Sequence, residues 1–135
     1  MILLDTMVVS QLFKSNPAPE ARAFFHDHRL DELYLSVLTI GEIVRGVESV
    51  GAKDPQRARA LRNWLDGIGR QFAGRVLPVS VPIAQNWGHL TARLGRKDVD
   101  LLIAATALEH GMALATRNER HFAPAGVRLL NPWRP

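Results

Sequence analysis

Residues 99–110, "VDLLIAATALEH", read as a helix with no polar face, closed by Gly111 and followed at once by the apolar run Met112 to Ala115. A helix that is apolar all round must be covered all round. It therefore cannot be a surface element, and the chain around it must supply layers on more than one side. Ile2-Leu3-Leu4, Leu33 to Leu35, Val76 to Val79, Met112 to Ala115 and Val127 to Leu130 are short and almost wholly apolar. Such runs are expected of parallel strands buried on both faces. Helical spacing fills the intervals: Val8 to Phe13, Pro17 to His28, Val37 to Val50, residues 55 to 73, and Pro82 to Leu94. This alternation predicts an α/β fold, a three-layer α/β/α sandwich around a central, mostly parallel sheet.

Residues 55–73 carry the clearest period. Leu61, Trp64, Leu65, Ile68 and Phe72 form an apolar stripe, and Arg59, Arg62, Asp66 and Arg70 form a polar one. Gly67 and Gly69 weaken the second half of that helix. At 135 residues, without repeats, low-complexity tracts or linkers, residues 1–135 are expected to form one domain. No cysteine is present, which excludes disulfides, thiolate nucleophiles and zinc–thiolate sites. Any metal must then be held by oxygen or imidazole. The N-terminus lacks the basic segment of a secretory signal, and no apolar run reaches the length of a membrane span, so a soluble cytoplasmic protein is expected. A formal net charge of +4 fits an anionic partner without requiring one.

In parallel sheets, ligands bind beyond the carboxyl ends of the strands. Asp5 directly follows the first strand, Glu42 lies one to two turns into the helix after the second, and Thr116-Arg117-Asn118 follow the strand Met112 to Ala115. Asp100 opens the helix that feeds that strand. If these points converge, three carboxylates share a pocket with little cation nearby, and a divalent ion such as Mg²⁺ or Mn²⁺ resolves the repulsion. Each acid also has a purely structural account. Asp5 suits a helix cap, and "TIGE" fits a capping box with Thr39 as N-cap and Glu42 reaching back to it. Asp98 and Asp100 point to different sides of a helix, so Asp98 is assigned to the cap and Asp100 to the chemistry.

Taken together, "LLDTMVVSQL", "LSVLTIGEIVRG", "DLLIAATALEHGMALATRNERHF" and "VRLLNPW" resemble the PIN-domain family, and within it the VapC-like toxins of toxin–antitoxin modules. The resemblance implies a metal-dependent endoribonuclease, acting with Mg²⁺ or Mn²⁺ on RNA. It also implies an antitoxin partner, and a homodimer or a toxin–antitoxin hetero-oligomer. Asp5, Glu42 and Asp100 match three acidic metal ligands of the family, and Thr6 and Thr116 match hydroxyl positions near the site. Two positions depart from the pattern: Met7 stands where the family usually has Asn, and His121 where it commonly has Asp before the Phe. Asn118 offers a neutral oxygen, and His121 offers an imidazole for Mn²⁺ or phosphate, but both lower the negative charge, which implies a weaker second metal site. Arg117 and Arg45 lie nearer the proposed site than the basic residues between 53 and 75 and are better candidates for substrate contact.

Lys53, Arg57, Arg59, Arg62, Arg70 and Arg75 crowd one region, where a solvated helix face is favoured over an RNA track. Trp64, Trp87 and Trp133 are expected in the core or an interface, and His26, His28, His89 and His110 on the surface. A Rossmann-like nucleotide site is disfavoured because no glycine-rich phosphate loop follows a strand. An aspartyl phosphatase is disfavoured because Met7 occupies the place of its second acid. The rival that stays open is a degenerate PIN-like module that binds antitoxin or RNA and cleaves weakly or not at all.

Overall fold

The computed structural model describes residues 1–134. Five parallel strands form the sheet: β1 (Ile2–Leu4), β2 (Leu33–Ser36), β3 (Val76–Leu77), β4 (Ala113–Ala115) and β5 (Leu129–Leu130), in the spatial order β3-β2-β1-β4-β5. The helices are α1 (Thr6–Val9), α2 (Pro19–Asp27), α3 (Val37–Gly51), α4 (Pro55–Gln71), α5 (Val81–Leu94), α6 (Val99–Glu109) and α7 (Glu119–Phe122). The architecture is the expected three-layer α/β/α sandwich. The expected strands Val76 to Val79 and Val127 to Leu130 shorten to two residues each, as suits edge strands with a single pairing partner. The expected helix Val8 to Phe13 is one turn of α-helix followed by a 3₁₀ turn, Ser10–Leu12.

Alternation along β1 divides the core in two. Ile2 and Leu4 face one side, with Val8, Phe24, Leu35, Ile43, Val47, Ile68 and Phe72. Leu3 faces the other, with Ile83, Leu90, Leu101, Ile103, Leu114 and Phe122. A strand at the centre of the sheet thus needs apolar residues at every position, which is why Ile2-Leu3-Leu4 shows no alternation of polarity. Helix α6 has no polar stripe for the same reason: Leu101 and Ile103 to Ala107 are all buried. Gly67 and Gly69 do not interrupt α4, because Ile68 and Phe72 between and beyond them are at 1% and 0% exposure. Burying those two side chains outweighs the roughly 1 kcal/mol each glycine costs a helix.

Side chains written into the sequence start the helices. Ser36 Oγ accepts from the Leu38 amide, Asp54 from Arg57, Ser80 from Ile83 and Asp98 from Leu101. The expected capping box is absent: Ser36, not Thr39, caps α3, so Thr39 lies inside the first turn with its hydroxyl buried and unpartnered among the described residues. Glu42 is thereby released from any capping duty. Gly111, at φ +64°, turns the chain out of α6 and into β4, and the Met112 amide reaches the Ala107 carbonyl at 2.9 Å. A Cβ at Gly111 would meet no atom within 4 Å, so only the left-handed backbone opposes a side chain there. Gly111→Ala is expected to lower stability by about 1–2 kcal/mol in urea unfolding, with the m-value unchanged.

Candidate metal centre

All five strands point the same way, so their carboxyl ends share one edge of the sheet. From β1 the chain leaves towards β2 on one side, and β4 lies on the other. Side chains emerging after β1 and β4 therefore meet where the strand order reverses. Asp5 ends β1 there, its amide continuing the ladder to the Ala115 carbonyl at 3.0 Å. The residue is buried, at 8% exposure. Oδ1 accepts from the Thr6 amide at 2.8 Å, and Oδ2 accepts from the Thr116 hydroxyl at 2.8 Å across the β1–β4 seam. Thr116 Oγ1 in turn accepts from the Asn118 amide at 3.0 Å, so the turn after β4 is tied to the same carboxylate.

Glu42 is the sixth residue of α3 and half-buried, and its Oε1 accepts from the Thr6 hydroxyl at 3.1 Å. One threonine thus contacts both acids: its amide holds Asp5 and its hydroxyl holds Glu42. Asp100, in the first turn of α6, accepts from or pairs with His121 through an Oδ2–Nε2 contact of 2.8 Å. The three acids lie in one another's field. Burial raises the Asp5 carboxyl above the usual carboxylate range, the Thr116 and Thr6 bonds oppose that rise, and the charge of Asp100 adds to it. Burial also raises Glu42; Thr6 opposes the rise, and Asp100 and Asp5 reinforce it. Asp5, Glu42 and Asp100, drawn from three separated stretches of sequence, are therefore brought together.

Two expectations need correction. The acids are not without a neighbouring cation: Arg96 forms a fork on Asp98, Nε to Oδ2 at 2.8 Å and Nη2 to Oδ1 at 3.1 Å, and the charge of Asp100 also acts on this guanidinium. Nor does Asp98 stand apart from the site. It caps α6 as expected, yet its Oδ1 also lies 3.8 Å from His121 Nε2. The Arg96 bond holds the Asp98 carboxyl below the usual range. Asp98 and Asp100 point less far apart than helical spacing suggested, because Asp98 precedes the first helical residue and is not bound by that geometry. An Arg two residues before an Asp signals a local ion pair, but no feature of the sequence tells that this Arg reaches His121 25 residues further on.

Arg117 is exposed and lies over the Trp133 ring, 5.2 Å from its centroid. Asn118 engages the site through its backbone. Met7 is exposed, at 49%. Arg75 leaves the group of basic residues considered for RNA contact: it donates to the Leu33 and Gln71 carbonyls and packs over Phe72, joining β2 to the end of α4. Arg57, Arg59, Arg62 and Arg70 remain exposed on α4. A cavity of about 650 Å³ between α2 and the chain after β5, lined by residues such as Phe24, His28, Leu130 and Pro132, includes none of the three acids.

The donors at this edge suit a divalent cation, and the potential ligand atoms that lie within 4.8 Å of one another among the described residues are those of Asp98, Asp100 and His121. Burial and the neighbouring carboxylates raise the proton affinity of Asp5 and Glu42, and a positive ion beside them removes the penalty that keeps those two reluctant to ionise. Comparison with known proteins places the arrangement in a family. Residues 2–127 match the PIN domain, and the chain belongs to that family. It is 35% identical to VapC ribonuclease Y4jK of Sinorhizobium fredii, over 100% of this chain and 99% of that protein. It is 34% identical to toxin FitB of Neisseria gonorrhoeae, over 98% of this chain and 99% of that one. The crystal structure of FitAcB from Neisseria gonorrhoeae superposes with a TM-score of 0.89 at 33% identity, covering 100% of both chains. DNA-bound VapBC from Salmonella typhimurium, at 24% identity and a TM-score of 0.74, shares the fold.

A carboxyl whose pKa is higher in the folded than in the unfolded chain holds its proton more tightly when native. It supports folding below its unfolded pKa, and that support is lost as pH rises through the folded value. Asp5 and Glu42 both behave this way. In the presence of a chelator, Asp5→Asn is expected to be more stable than wild type at pH 7, and the gap to close as pH falls through the carboxylate range. Urea midpoints measured from pH 7 down to pH 4 check this.

Proposed function

We propose that this chain is a Mg²⁺- or Mn²⁺-dependent endoribonuclease and the toxin of a VapBC-type toxin–antitoxin pair. The observation that carries the reading is the mutual approach of Asp5, Glu42 and Asp100 at the carboxyl edge of the sheet, with two of them clamped by hydroxyls. The names of the relatives agree with it, one being a ribonuclease and another a toxin. A toxin–antitoxin complex from Klebsiella pneumoniae, 27% identical with a TM-score of 0.68, supports an antitoxin as partner.

When bound, the ion would supply an acidified water as nucleophile and charge stabilisation for the leaving oxygen in an in-line displacement at phosphorus. Asp5 and Asp100 would hold it directly, with Glu42 as a further ligand or a group that orients water. Thr116 and the Thr6 amide fix both oxygens of Asp5, leaving its remaining lone pairs as the free donor positions. The Thr6 hydroxyl keeps one oxygen of Glu42 turned towards β1 and leaves the other free. Hydrolysis adds water across the phosphodiester and breaks the P–O3′ bond, giving a 5′-phosphate and a 3′-hydroxyl. No helix among the described residues is long and apolar enough to cross a membrane, which accords with action on RNA in the cytoplasm.

A degenerate module remains the second reading, favoured by His121 and Arg96 standing beside Asp100, where they lower the negative charge. A defined RNA incubated with the purified chain decides between the two. Cleavage that needs Mg²⁺ or Mn²⁺ and stops with chelator is expected. Asp5→Asn and Asp100→Asn should each reduce the rate at least 100-fold while circular dichroism stays unchanged. Undiminished cleavage by either variant overturns the assignment.

A further inference from the structure

The centre described so far offers oxygen; His121 adds a nitrogen. Its Nε2 lies 2.8 Å from Oδ2 of Asp100 and 3.8 Å from Oδ1 of Asp98, and one donor atom from each of these three residues falls within 4.8 Å of the others. The same Nε2 is also 2.8 Å from Nη2 of Arg96. One ring nitrogen cannot satisfy both neighbours. Protonated, it donates to Asp100 and meets an arginine N–H head-on. Bare, it accepts from Arg96 and sets its lone pair against a carboxylate oxygen. In either form one close contact is unfavourable.

A divalent ion removes the conflict, because Nε2 and Oδ2 then direct their lone pairs at a common positive centre. The imidazole is already held for this. Arg96 Nη1 donates to the His121 carbonyl at 2.7 Å, Asp98 grips the same guanidinium from behind, and the ring stands edge-on to Phe122. Nitrogen at this position also bears on which ion enters. Mg²⁺ takes oxygen and dehydrates reluctantly, whereas first-row transition ions accept imidazole.

We propose that His121 ligates the cation through Nε2 and makes this centre discriminate against Mg²⁺ in favour of a nitrogen-accepting divalent ion such as Mn²⁺. This rests on the metal-site reading of Asp5, Glu42 and Asp100, and it goes further by assigning the preference to one residue.

The test uses the full chain, freed of metal by chelator and titrated calorimetrically with Mn²⁺ or Mg²⁺ alone, without RNA. Wild type is expected to favour Mn²⁺ over Mg²⁺ by a ratio at least tenfold larger than His121→Asp, whose donors are all oxygen. Equal ratios overturn the proposal. A measurement on wild type alone guards against misfolding of the variant: with ¹⁵N-labelled histidine, Zn²⁺ should shift the Nε2 resonance of one of the five histidines and leave its Nδ1 protonated. No such shift overturns it equally. Should cleavage fail to depend on Asp5 while the ion preference tracks His121, the nuclease reading falls and the ligand stands. Should cleavage depend on Asp5 while the ratio is the same with and without His121, the ligand falls alone.

Discussion

Like charges repel, and this chain nevertheless folds so that Asp5, Glu42 and Asp100 sit within one another's field. Everything else about the site follows from how that repulsion is contained. The sheet brings the backbone ends together without asking the carboxylates to contribute. Hydroxyls from Thr6 and Thr116, which add no charge of their own, then fix two of the acids in place. Asp5 is nearly closed off from water, so its charge is the most expensive of the three and the most strongly tethered. The remaining cost stays in the free protein as raised proton affinity at Asp5 and Glu42. An entering cation draws on that cost when it binds.

The periphery of the site is balanced differently. Asp98 and Asp100 start the same helix, but Asp98 is neutralised by Arg96 and lies low in pKa, whereas Asp100 faces Asp5 and Glu42 on one side and His121 on the other. Two acids two residues apart thus carry different tasks because their neighbours differ. Arg96 belongs to both tasks, since it holds the Asp98 cap and the backbone of His121 in a single side chain.

Much of the fold could be read from the residues because its strands are buried on both faces. Ile2-Leu3-Leu4 and an α6 without a polar stripe admit few arrangements other than a covered parallel sheet. Asp5 stood out because it ends an apolar strand, and Asp100 because it opens an apolar helix. Glu42 was harder: "TIGE" imitates a capping box, and only the placement of the cap at Ser36 shows that the imitation is false. The fork of Arg96 and the double claim on His121 Nε2 could not be read at all. They depend on the distance between α6 and α7, and no local pattern encodes a contact between side chains 25 residues apart. Arg75 shows the opposite limit, a cation that composition groups with surface arginines and that folding assigns to two backbone carbonyls.

The bond between Thr116 and Asp5 joins residues 111 positions apart in the chain. Closing a loop of that length costs chain entropy, and the β1–β4 pairing that carries the bond spans the same separation. The first acid is synthesised almost at once, but its partner hydroxyl leaves the ribosome only when most of the polypeptide has been made. A nascent chain therefore carries Asp5 without its Thr116 clamp for most of translation, and the centre cannot be complete before residue 116 of 135 has been made.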